Sequence, residues 1–416
     1  MYSYGALLLA AILAIVSSEL EVMFQWNLIN WDMPFNYPLS TPYTGRTTIA
    51  NSVEIGWDRI FLTLPRIWSG NPASLAVVPR SKDGYPTDQS PPLQAYPSWD
   101  WHTEAASGSL GSGKGNCSGF VSVFRVKIDR CNRLWVMDSG ILDSLVTFSV
   151  VCPPRIFIFD LATDRLLRTI TLPKSVTRPN TLIANFELDE PSTALSSTSY
   201  NSCDNIFVYM TDTTNPGIIV YDVARENFWR LQHPNMYADP DFGTYRVAGE
   251  SYTLMDGILG LALSAPSHNM ERTLYFQPFA SNRLFSIPTS VLQSGPNPGD
   301  DGELPVTLVG HKSSQAAGLC IDQRDGSLLF SPVTETALAS WQPGSSYHKV
   351  LAYSPAMLQV VTDLKSATRD GGTIWIVSTR LQKFFRQTIN PKEMHVRILR
   401  LVPDPPPLNS SYFYYH

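Results

Sequence analysis

Charge is scarce in this 416-residue chain: Asp, Glu, Lys and Arg make up 16% of it, against about a quarter in a typical soluble domain. The 31 basic residues never gather into a block and the formal net charge is −5, so the chain lacks the phosphate-neutralising surface that nucleic acids require. Nucleic acid is excluded as a partner on this ground. Long apolar runs are missing too. The longest, Ala6 to Val16, has 11 residues, well short of the roughly 20 that span a bilayer. Cysteine is limited to Cys117, Cys131, Cys152, Cys203 and Cys320, too few and too far apart for a disulfide scaffold and without the spacing of a zinc site. The seven histidines are scattered, with no i,i+2 or i,i+4 pair, which argues against a histidine-based metal site. No Gly-x-Ser-x-Gly elbow or phosphate-binding loop occurs, which disfavours covalent hydrolysis and nucleotide chemistry.

What remains is apolar (44%), aromatic (11%) and rich in turn formers, with 32 Pro and 25 Gly, a composition that excludes disorder and a coiled coil. The apolar run near the start, followed by Ser17 and Ser18, reads as a signal peptide over 1–18 with cleavage near Ser18. An uncleaved anchor is the alternative. The mature chain is then expected to be secreted, without a membrane span, and free to form disulfides. Asn116-Cys117-Ser118 and Asn409-Ser410-Ser411 are candidate glycan acceptors, at Asn116 and Asn409.

Ordinary cores stop growing near 250 to 300 residues, so a chain of this length calls for several domains or a closed repeat. One pattern recurs six times: a turn with Asp, Asn or Gly, followed by an alternating apolar and aromatic strand. The strands begin at Ile60, Leu134, Ile206, Leu274, Leu328 and Ile374, spaced by 74, 72, 68, 54 and 46 residues. The second copy shows its neighbours most clearly, with Val121 to Val126 before it and Arg155 to Asp160 and Leu167 to Leu172 after it. Four short antiparallel strands per unit and six units predict an all-β, six-bladed β-propeller forming a single domain over 19–402. A pair of β-sandwiches would not explain so regular a recurrence. Met23 to Leu28 is expected to pair beside the last blade's Val396 to Leu401, hiding both edges and closing the ring. Segments 81–118, 191–201 and 294–304, rich in Ser, Gly, Pro and Asp, read as loop insertions, and 403–416 as a flexible tail.

The topology also sorts the cysteines. Cys117 and Cys152 open two strands that are both antiparallel to the strand between them, so they lie on the same side of a blade; Cys131 and Cys203 precede equivalent strands of neighbouring blades. The expected pairs are Cys117 with Cys152 and Cys131 with Cys203, leaving Cys320 as a free thiol. Loops leaving equivalent strands emerge on one face around the channel. The residues after the six second strands should converge there, and Arg66, Asp138, Asp212, Glu335 and Arg380 would form a charged ring suited to a small polar ligand. The alternative for Asp138 and Asp212 is that each carboxylate only caps backbone amides in its own turn. Calcium in the channel is a minor reading: Asp138, Asp212 and Glu335 offer hard oxygens, but asparagine is scarce at these loop starts. No cofactor is otherwise implied, and oligomeric state is not legible.

Three stretches carry a resemblance. They are Gly119 to Val126, Asp129-Arg130-Cys131-Asn132-Arg133-Leu134-Trp135-Val136-Met137-Asp138-Ser139-Gly140, and Val151-Cys152-Pro153-Pro154-Arg155-Ile156, supported by Asp256 to Ser264, Glu335 to Trp341 and Ile376 to Arg380. With these the chain resembles the insect Yellow and major royal jelly protein family over essentially its whole mature length. The resemblance implies a secreted propeller of the melanin and cuticle pigmentation pathway, acting on or binding dopa- or dopamine-derived quinones, with small catechol or indole ligands. It also implies two alternatives, a non-catalytic binder of biogenic amines and an extracellular structural or signalling propeller. For such ligands Asp138 would hold an ammonium, Phe279 a ring face, and Thr334 and Arg66 polar groups. Dopachrome conversion would use Glu335 or Asp212 as base and Arg380 as oxyanion stabiliser. The sequence departs from the family pattern at Thr334, where Asn is common, and at Ser340, where Cys often precedes the Trp.

Overall fold

A computed structural model describes residues 19–39, 42–81, 84–103, 117–190, 203–296 and 303–402. The expected signal peptide, the C-terminal tail and the glycan acceptors Asn116 and Asn409 lie outside the described residues. Six four-stranded antiparallel sheets stand around a central axis. From the axis outward, blade 1 is Ser52–Ile55, Arg59–Thr63, Leu75–Pro79 and Gln94–Ala95. Blade 2 is Val123–Ile128, Arg133–Asp138, Arg155–Asp160 and Arg165–Thr171, and blade 3 is Ile183–Asp189, Phe207–Asp212, Gly217–Asp222 and Asn227–Leu231. Blade 4 is Ile258–Leu263, Thr273–Pro278, Arg283–Pro288 and Thr307–His311, and blade 5 is Leu319–Ile321, Leu328–Phe330, Ala337–Trp341 and Lys349–Tyr353. Blade 6 takes Val360–Ala367, Thr373–Thr379 and Val396–Val402, and its outer strand is the N-terminal Glu19–Trp26. Each inner strand packs against the inner strands of both neighbouring blades, so the ring is closed.

The closing pair runs antiparallel, with Trp26 opposite Val396 and Glu19 opposite Val402. It covers two edges that would otherwise expose unpaired backbone groups. The strand starts four residues earlier than Met23 because Glu19 to Val22 continue the ladder although Glu19 is exposed and the next three are only half-buried.

The blades stack face to face, so their middle strands are buried on both sides and read as nearly continuous apolar runs: Arg155–Asp160 is buried except at Asp160. The cores lie between blades, as where Phe61 and Tyr96 of blade 1 meet Phe120, Phe157 and Phe159 of blade 2. The recurring turn residue has a conformational cause. Asn132 at φ 59° and Gly326 at φ 75° sit in the left-handed region that Asn and Gly tolerate best. Both expected disulfides are present, Cys117–Cys152 within blade 2 and Cys131–Cys203 joining blades 2 and 3, and Cys320 is free and buried. Among the described residues the only α-helices are short, Thr289–Gln293 and Leu381–Phe385, and no helix is long and apolar enough to cross a membrane.

Candidate functional site

The register places the end of every second strand beside the start of its inner strand. Thr63 pairs with Ser52, Asp138 with Val123, Asp212 with Ile183, Pro278 with Ile258, Phe330 with Leu319 and Thr379 with Val360. The six loops that follow therefore open on one mouth of the channel. Ile67, Ile141, Leu182, Phe279, Val333 and Val360, one from each blade, belong to a single apolar cluster there.

The expected charged ring does not form at three of its positions. Arg66 is buried and donates to the carbonyls of Asn71, Pro72, His102, Phe120 and Val121, so its guanidinium ties loops together rather than facing a ligand. Asp138 is fully buried; it accepts from the Val121 and Ser122 amides at 3.1 and 2.7 Å and from Arg155 at 2.6 Å. Asp212 repeats the device in blade 3, accepting from the Leu182 and Asn215 amides, the Thr181 hydroxyl and Arg230. For both aspartates the capping alternative is the one the fold adopts. A carboxylate so enclosed has no face left for an ammonium, a substrate proton or a calcium ion.

The other four candidate residues, Phe279, Thr334, Glu335 and Arg380, lie on the loops of blades 4, 5 and 6. Glu335 is half-buried and accepts from the Ser314 hydroxyl at 2.5 Å, while the Thr334 amide donates to that same hydroxyl at 3.2 Å and its side chain is exposed. Arg380 pairs with Glu393 in blade 6, and burial pushes its guanidinium pKa down. Phe279 is buried on blade 4.

A hairpin that the six-fold repeat does not predict is formed by Thr244–Val247 with Glu250–Thr253. It leaves the ring between blades 3 and 4 and crosses toward blades 5 and 6. Gln315 donates to the carbonyls of Phe242 and Thr244, and Glu250 meets Lys383 and Arg386 of the Leu381–Phe385 segment, each at 3.5 Å. Its two tyrosines point inward. Tyr245 and Tyr252 stack at 4.7 Å, Phe279 lies 4.6 Å from Tyr245, and Phe385 lies 5.1 Å from Tyr252. Both hydroxyls are buried without a hydrogen-bond partner among the described residues, an arrangement that costs free energy unless something else supplies the partner. The signal was present: Thr-Tyr-Arg-Val and Glu-Ser-Tyr-Thr alternate about Ala248-Gly249, both at positive φ, as a two-residue hairpin requires.

Asp256 follows the hairpin and precedes the inner strand of blade 4. Its main-chain carbonyl accepts from the Ala280 amide, which pins it beside Phe279. Its carboxylate is half-buried and has no hydrogen bond or ion pair among the described residues. Burial pushes its pKa up to about 7. Burial raises both tyrosine hydroxyls; for Tyr245 the neighbouring Tyr252 and then the Asp256 charge add to it, and for Tyr252 the Asp256 charge does, so that charge is within electrostatic reach of both.

The opposite mouth is where charge gathers. Lys127 meets Glu187 at 2.6 Å and Lys365 meets Glu54 at 2.5 Å there, while Arg125 pairs with Asp363 farther along the channel, toward the first mouth, all on inner strands. Blades 4 and 5 present small residues at this end, Ala262 and Cys320 among them, and a cavity of about 640 Å³ opens beside them.

The major royal jelly protein profile matches residues 121–404. The chain belongs to that family. It is 27% identical over 401 residues to the dopaminechrome tautomerase of Drosophila melanogaster, covering 92% of this chain and 82% of that protein. It is 29% identical over 409 residues to the protein yellow of Drosophila subobscura, covering 94% and 68%, and 29% over 395 residues to that of Drosophila melanogaster, covering 91% and 68%. The stretches Asp129 to Gly140 and Val151 to Ile156 fall inside the matched range and contribute to blade 2, including one cysteine of each disulfide, Cys131 and Cys152.

Proposed function

We propose that this family member is a secreted protein of the pigmentation pathway that isomerises dopamine- or dopa-derived aminochromes at the hairpin-covered mouth. Similarity to a dopaminechrome tautomerase along 92% of the chain carries the reading. The mouth supports it. An aminochrome is a flat, polar, ring-fused quinone, and the mouth offers apolar walls, stacked aromatic rings and unsatisfied hydroxyls. Thr334, Glu335 and Arg380 stand on the loops of blades 5 and 6, where they would meet the exposed edge of such a ring. Secretion is supported by the apolar run Ala6 to Val16 and by the two disulfides.

A second reading, a carrier of biogenic amines, is favoured by the same aromatic stack and by the unpaired Asp256, which would hold an ammonium. Absorbance decay of dopaminechrome, with the purified mature protein against a heat-treated control, separates the two. Faster decay supports the isomerase. Unchanged decay with calorimetric binding of dopamine or serotonin makes the protein a carrier, and neither result leaves a structural or signalling propeller.

A further inference from the structure

We propose that Asp256 is the proton-transferring group of this mouth and that the hydroxyls of Tyr245 and Tyr252 donate hydrogen bonds to the quinoid oxygens of the bound ring; this rests on the isomerase reading above. Three observations meet at one place. The carboxylate has no partner among the described residues, two nine-tenths-buried hydroxyls near it have none either, and the rings that carry those hydroxyls stack on each other, with Tyr245 lying 4.6 Å from Phe279. A fold that satisfies Asp138 and Asp212 with three or more donors each leaves Asp256 with none. Unsatisfied buried polar groups of this kind destabilise a fold and concentrate at functional sites.

The chemistry balances without an oxidant. The Asp256 carboxylate takes a proton from a saturated ring carbon of the aminochrome; the C–H electron pair moves into the ring, and a quinoid C=O becomes C–O⁻. The newly formed carboxylic acid returns the proton to that oxygen, giving O–H and restoring Asp256. Two such transfers convert the fused quinone into a dihydroxyindole of the same composition. A group whose pKa lies near 7 is populated in both forms at neutral pH, as a base that later acts as an acid requires.

Among the described residues no charged side chain pairs with it. The hairpin presents Tyr245 and Tyr252 and commits Glu250 to Lys383 and Arg386, and the neighbouring Asp239 pairs with Arg283. The loop of blade 4 brings Phe279 and Ala280, and that of blade 3 brings Thr213 and Pro216 near Gly257.

The test compares wild type with Asp256→Asn for dopaminechrome loss from pH 5 to 9, and for thermal midpoint over the same range. The wild-type rate should rise through a midpoint near pH 7, and the variant should lose about 100-fold or more while staying folded. Its thermal midpoint should already exceed wild type at pH 5, by a margin that grows up to about pH 7 and then levels off, because the raised carboxylate pKa costs wild type stability between the unfolded and folded pKa values and the amide does not titrate. A variant that keeps the wild-type rate overturns the assignment while leaving the isomerase reading intact. A wild type that never exceeds the control overturns both. Tyr252→Phe, expected to reduce kcat more than KM, separates hydrogen bonding to the reacting oxygen from simple packing.

Discussion

Arg155 donates to the Asp138 carboxylate at 2.6 Å with both side chains almost wholly buried, and the guanidinium also reaches the Gly119 carbonyl at 3.0 Å. The pair locks the start of the inner strand of blade 2 to the ends of its second and third strands. Breaking a buried pair leaves an uncompensated charge, which costs about 3–5 kcal/mol. Asp138→Ala should therefore lower stability by that amount in a denaturant titration, without a specific effect on ligand affinity in whatever fraction stays folded. Weakened binding in a fully stable variant would contradict the structural assignment.

Blade count, closure and disulfide pairing were legible because each follows from recurring local patterns: the turn residue before Leu134, the strand after it, and cysteines at equivalent strand starts. The site was less so. Spacing brought the six loops to one mouth but could not say which way a side chain points, and Asp138 and Asp212 turn into their blades where backbone amides await them. Asp256 precedes an inner strand rather than following a second strand, so the rule that selected loop residues passed over it. The role proposed for it depends on a hairpin whose two tyrosines become meaningful only when folded over the channel.

Lys312 is buried with its ammonium donating to the Arg283 carbonyl at 3.0 Å, and burial pushes its pKa down to about 7. In the unfolded chain a lysine stays protonated to about pH 10.4. Between pH 7 and 10 the unfolded state thus binds the extra proton, and wild-type stability should rise with pH across that window. Lys312→Met should be more stable than wild type at pH 7 by on the order of 2 kcal/mol. The advantage should shrink to nothing above pH 10, as thermal denaturation at several pH values would show. A variant less stable than wild type at pH 7 would mean that the hydrogen bond outweighs desolvation.

Cys131–Cys203 closes a sequence separation of 72 residues and Cys117–Cys152 one of 35. Replacing either pair with serine should cost roughly 2–5 kcal/mol, slightly more for the longer loop. Cys320 is buried and its thiol pKa is raised by burial, so the thiolate that reacts with alkylating agents is suppressed. Mass spectrometry should find no iodoacetamide adduct on the native protein and one after denaturation without reductant. Rapid native labelling, or a second labelled thiol after denaturation, would contradict this thiol inventory.

The central claim is isomerisation at the hairpin-covered mouth, and the most direct test is the mass and oxygen balance of dopaminechrome turnover. The account predicts a protein-dependent product of the same mass as the substrate, formed without oxygen uptake. No product above the heat-treated control, or product formation that consumes oxygen, would contradict it.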